Sequence, residues 1–124
     1  FDHGPLMILE NSHRFEKLKK GYGQMDIDKN RNWKKARFRH GKFFRGGDYS
    51  RNPRAVQRQF KSRWLTTEFS AGDILLFTGH TMHGSIDNGS SQVRLSVDTR
   101  FQLNSEPVDE RWIGKNPIAH SQAS

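Results

Sequence analysis

Asn88 and Gly89 constrain this chain more than any other pair, because they lie between two stretches in which apolar and polar residues alternate. A two-residue type I′ turn needs positive φ at both central positions, and Asn-Gly supplies that most readily. The spacing predicts a hairpin of strands over residues 81–87 and 91–101. If Asp87 faces Ser90, then His83 stands opposite Arg94 and Ser85 opposite Gln92. Side chains alternate faces along a strand, so Thr81, His83, Ser85, Arg94 and Ser96 share one face. Met82, Ile86, Val93, Leu95 and Val97 share the other. A neutral imidazole can hold a metal ion, and a guanidinium across the ladder can hold a carboxylate beside it, with Ser96 adding a hydroxyl. Most antiparallel hairpins also turn one polar face to water, so spacing alone leaves both readings open.

The rest of the chain reads as further short strands joined by turns. Residues 6–10 form an apolar run too brief for a stable helix, and Asn11-Ser12 marks a turn before one weak helical turn around Phe15 and Leu18. Gly21 and Gly23 stop it. Pro53 suits the first turn of a helix over residues 53–60, and Asn52 suits its cap. Residues 63–69 alternate weakly. Ser70 to Asp73 is turn chemistry, and the continuous apolar run at 74–77 predicts a strand buried on both faces. With Gly79 beside it, His80 belongs to a turn. Strands between turns with little helix argue for a β-sandwich or barrel.

The chain has 124 residues, enough for one domain, and its low apolar content of 32% predicts a small core. The formal charge is +8, and residues 29–63 carry thirteen lysines and arginines against one acid, Asp48. Such a stretch raises nucleic acid, a solvated loop, or a lid that attracts an anionic substrate. No recognition motif accompanies the charge, so nucleic acid is not the expected partner. Absence of cysteine excludes disulfides, thiolate metal sites and a cysteine nucleophile. No apolar run approaches membrane-spanning length, no leader is visible, and a cytoplasmic, non-membrane protein is expected. The chain opens on Phe1 and enters an apolar stretch at once, which suggests the C-terminal portion of something longer. No hydrolase elbow, phosphate-binding loop, dinucleotide fingerprint or zinc-protease motif occurs.

Three strings taken in order are more specific than any one alone: GPLMILENSHR, the AGD turn into ILLF, and HGS with an arginine eleven positions after its histidine. Together they resemble the C-terminal half of the phytanoyl-CoA dioxygenase family, Fe(II)- and 2-oxoglutarate-dependent oxygenases. The resemblance runs over residues 4–111 and is weakest across the basic stretch. It implies a mainly β fold, the C-terminal portion of a double-stranded β-helix (a jelly-roll, cupin-like barrel). That partial barrel would occupy residues 1–111, with a basic loop insertion at 29–62, short helices, and a tail at 112–124.

By position, His83 resembles the family's distal iron-binding histidine, Arg94 the arginine that binds the far carboxylate of 2-oxoglutarate, and Ser85 the assisting serine. The implied activity couples oxidative decarboxylation of 2-oxoglutarate, with O2, to hydroxylation of a small organic substrate; the basic insertion would suit an anionic one. The family's other two iron ligands form an H-x-D motif, and neither H-x-D nor H-x-E occurs anywhere in this chain. The expectation is therefore a fragment inactive alone, needing an N-terminal half to complete the barrel. A basic nucleic-acid-binding module and a non-catalytic jelly-roll remnant are the competing readings.

Overall fold

The computed structural model describes residues 1–24 and 48–117. Residues 29–47 of the expected basic insertion, and 118–124 of the tail, lie outside the described residues. Three short strands form one antiparallel sheet in the order β2-β1-β3, from β1 (Leu6–Leu9), β2 (Trp64–Thr66) and β3 (His83–Ser85). The most apolar strand takes the centre. Met7, Ile8 and Leu9 face Thr66, Leu65 and Trp64 on one side, while Leu6, Met7 and Ile8 face Ser85, Gly84 and His83 on the other.

Pairing continues past both ends of β1. Leu9 N–H donates to the Met82 carbonyl at 2.8 Å and Glu10 N–H to the Arg63 carbonyl at 2.9 Å. At the other end Ile86 N–H donates to Pro5 O at 3.0 Å, Gly89 N–H to Asp2 O at 2.9 Å, and an isolated bridge joins His3 to Asn88. Gly4 makes this approach possible. Its φ is +66°, and a Cβ there would lie 2.6 Å from the Ile86 carbonyl oxygen.

The core is small, as the apolar content implied: among the described residues only Leu9, Leu18 and Val56 are buried hydrophobics. Polar anchors supplement it. Ser12 is fully buried, and its hydroxyl accepts from Met82 N–H at 2.9 Å, tying the turn after β1 to the approach of β3. Ser62 Oγ donates to Glu10 O at 2.7 Å, and Thr66 Oγ1 to Leu6 O at 2.7 Å.

Two helices close over one end. α1 (Glu16–Lys20) buries Leu18, and α2 (Pro53–Phe60) buries Val56. α2 follows the sequence expectation residue for residue: Pro53 stands in its first turn, and Asn52 Oδ1 accepts from Ala55 N–H at 3.0 Å. The helix expected over residues 53–60, within the basic insertion, is thus present and buries Val56. Phe15 stacks on Phe60 at 5.2 Å between centroids, Tyr49 lies 5.8 Å from Phe60, and Trp64 Nε1 donates to Pro53 O at 2.9 Å.

Two expected strands are absent from the sheet. Residues 74–77 are irregular, with Ile74 90% and Leu76 86% exposed while Leu75 and Phe77 are partly covered, so the strand expected to be buried on both faces does not form. Residues 91–101 are likewise irregular and exposed. The described residues thus form an open three-stranded sheet with short helices and do not close a barrel. No described helix is long and apolar enough to cross a membrane.

Candidate functional site

His83 and Ser85 occupy alternate positions of β3 and share one face, as the alternation predicted. The imidazole is held from two sides. Its Nδ1 lies 2.9 Å from the Thr81 carbonyl oxygen, and its ring packs against Phe77 at 4.9 Å between centroids with planes 48° apart. A carbonyl oxygen can only accept, so Nδ1 carries the proton. That fixes the neutral tautomer with its lone pair on Nε2, the arrangement metal-binding histidines commonly use. Gly84, between the two, faces Met7, and a Cβ there would meet Met7 Cε at 3.5 Å.

The predicted turn does not form, and with it goes the register that set His83 opposite Arg94. Neither Asn88 nor Gly89 adopts positive φ. The Asn88 side chain makes a local turn instead: Oδ1 accepts from Ser90 N–H at 2.9 Å and from Ser90 Oγ at 2.8 Å, while Nδ2 donates to Gln92 O at 2.7 Å. Its backbone meanwhile bridges to His3. Satisfied in this way, the segment leads the chain off β3 rather than back along it. Arg94 and Ser96 therefore sit on an exposed segment outside the sheet. The structure brings His83 and Ser85 together and leaves Arg94 and Ser96 out of their ladder.

The other described histidines have different surroundings. His3 Nδ1 lies 3.0 Å from Ser90 Oγ, and His13 Nε2 accepts from Arg14 Nε at 3.3 Å. His80 lies in the turn before β3, as expected. Among the described residues no group of three or more His, Asp or Glu is placed to hold a metal ion. His83 is one suitable donor, and the described residues do not make a whole iron site. The sequence does not mark the two groups that fix His83: alternation puts Thr81 on the polar face without signalling its carbonyl, and Phe77 reads only as part of an apolar run.

Arg63 grips Glu10 through two bonds, Nε to Oε2 at 3.0 Å and Nη2 to Oε1 at 2.9 Å, and this holds the Glu10 carboxyl below its ordinary value.

The family model described as phytanoyl-CoA dioxygenase (PhyH) matches residues 2–96, a span that includes β1, α2, His83 and Arg94. No curated protein and no solved structure gives a match.

Proposed function

The chain belongs to the phytanoyl-CoA dioxygenase family, and from that premise we propose that it forms part of an Fe(II)- and 2-oxoglutarate-dependent oxygenase acting on a small organic substrate. In this reading His83 supplies one iron donor through Nε2. Arg94 receives the far carboxylate of 2-oxoglutarate, assisted by Ser85 and Ser96. The observation that carries it is the bond from His83 Nδ1–H to the Thr81 carbonyl, which leaves Nε2 as the lone-pair nitrogen. Phe77 restricts the ring's orientation from one side. Ser85 lies two residues on and on the same face of the strand, which supports its role as the assisting hydroxyl in this reading.

The family's H-x-D pair of iron ligands does not occur in this sequence. In this reading those ligands, and the placement of Arg94 at the His83 face, therefore depend on polypeptide other than the described residues, and the chain on its own turns over no 2-oxoglutarate. The basic residues favour an anionic substrate.

Anaerobic titration with Fe(II) and 2-oxoglutarate of the full protein containing this sequence, followed by its visible charge-transfer band, tests the reading. His83→Ala abolishes the band, and Arg94→Ala weakens 2-oxoglutarate binding at least about tenfold, as expected for loss of a charge-assisted bidentate contact. Unchanged affinity in Arg94→Ala contradicts the assignment.

A further inference from the structure

A buried side chain in the turn after β1 bears on His83 through the backbone. The β1–β3 register pairs Met7 with Gly84, and two residues further along it Leu9 faces Met82. A hydrogen-bonded antiparallel pair exchanges two N–H···O bonds. Leu9 N–H does reach the Met82 carbonyl at 2.8 Å, but Met82 N–H donates to Ser12 Oγ at 2.9 Å in place of the Leu9 carbonyl. Asn11, in the left-handed region at φ +57°, turns the chain out of the ladder, and Ser12 intercepts that donor. Ser12 is 0% exposed, so water does not compete for the bond.

The intercepted N–H belongs to the peptide unit joining Thr81 to Met82, and the carbonyl of that same unit accepts from His83 Nδ1 at 2.9 Å. A trans peptide is planar, with its N–H and C=O pointing in opposite directions. No described peptide bond is cis. Fixing the N–H on Ser12 therefore fixes the direction of the oxygen that His83 meets. It also polarises the unit, because bonds along such a chain strengthen one another. Thr81 is held from its other side as well: its N–H donates to Thr78 O at 2.9 Å, and its Oγ1 lies 3.1 Å from Thr78 Oγ1.

We propose that Ser12 is a positioning residue for His83, acting through the Thr81–Met82 peptide unit. The proposal rests on the reading of His83 as an iron donor. The chain of bonds runs from the Ser12 hydroxyl through one peptide to the imidazole. It sets which ring nitrogen carries the proton and where the Nε2 lone pair is aimed. In this role Ser12 touches neither metal nor substrate. Outer hydrogen bonds that orient a ligating histidine typically alter metal affinity by about 10–100-fold.

The 15N shifts of the His83 ring nitrogens read its tautomer directly, in the metal-free full protein containing this sequence and at alkaline pH, where imidazole is neutral. The spectrum of His83→Ala identifies the signals. Wild type shows the proton on Nδ1 and a bare Nε2. In Ser12→Ala the ratio of Nδ1–H to Nε2–H falls at least about threefold, as expected when one supporting hydrogen bond is lost. Ser12→Cys keeps the size and a weaker acceptor, gives an intermediate ratio, and carries the comparison if Ser12→Ala does not fold. Ser62→Ala is the control: it removes another side-chain bond to this sheet, Ser62 Oγ to Glu10 O, and leaves the ratio unchanged. A merely structural Ser12 gives lower thermal midpoints with the ratio intact, and that result overturns the proposal. Anaerobic Fe(II) calorimetry on the same proteins shows affinity weakened about tenfold in Ser12→Ala. A shifted tautomer with unchanged Fe(II) affinity also overturns the positioning role. If His83→Ala binds Fe(II) as tightly as wild type, the iron reading itself fails, while the metal-free tautomer ratio still decides whether Ser12 sets the imidazole.

Discussion

The segments 6–9 and 93–97 both carry strand-forming apolar residues, continuous in the first and alternating in the second, yet one is the central strand of the sheet and the other is exposed along its whole length. The difference lies in their surroundings. Leu6–Leu9 meets β2 and β3 on its two edges and Leu9 is buried, while Ser62 satisfies the Glu10 carbonyl where the strand ends and Ser12 ties the following turn to Met82. Residues 93–97 have neither a paired edge nor a covering layer. A strand pattern specifies which face must be buried, and it yields a strand only where a partner edge and an opposing layer exist.

Substitutions in the two regions should therefore separate sharply. Leu9→Ala costs about 2–4 kcal/mol, enough to unfold much of a molecule with so small a core, whereas Val97→Ala stays within about 0.5 kcal/mol of wild type. Urea unfolding measures both, and a large loss at Val97 would break the contrast. Gly4→Ala follows at roughly 1–3 kcal/mol, since its positive φ and the approach to Ile86 O leave no room for a methyl group. Asn52→Ala removes the cap of α2 and costs about 1 kcal/mol, seen as a lower thermal midpoint.

The smallest effect is electrostatic. Arg63 lowers the Glu10 carboxyl, so the folded state favours its ionised form. That contribution is fully present above the ordinary carboxylate range and is lost as pH falls through the lowered folded value. The unfolding midpoint should drop on acidification, and Glu10→Gln should flatten the part of that slope due to this pair.

What the sequence made legible was local chemistry. Pro53 and Asn52 specify the start of α2 through one ring and one side-chain oxygen, and residues 6–10 were short and apolar enough to mark the central strand. His83 and Ser85 share a face because alternation along a strand is intrinsic to the backbone. What failed was the hairpin register, which needs events beyond the dipeptide. Asn88 supports a local side-chain turn as well as a type I′ turn. With His3 available to bridge its backbone and no layer to reward a return strand, the local turn prevails. The Thr81 carbonyl beneath His83 had no signature, since any residue supplies one.

Amide hydrogen exchange on the chain tests the contrast most directly. The account predicts protection at Leu9, Glu10, Met82 and Ile86, whose N–H groups are bonded, and exchange close to that of an unstructured peptide at Val93, Leu95 and Val97. Protection at 93–97 equal to that of β1 would contradict it.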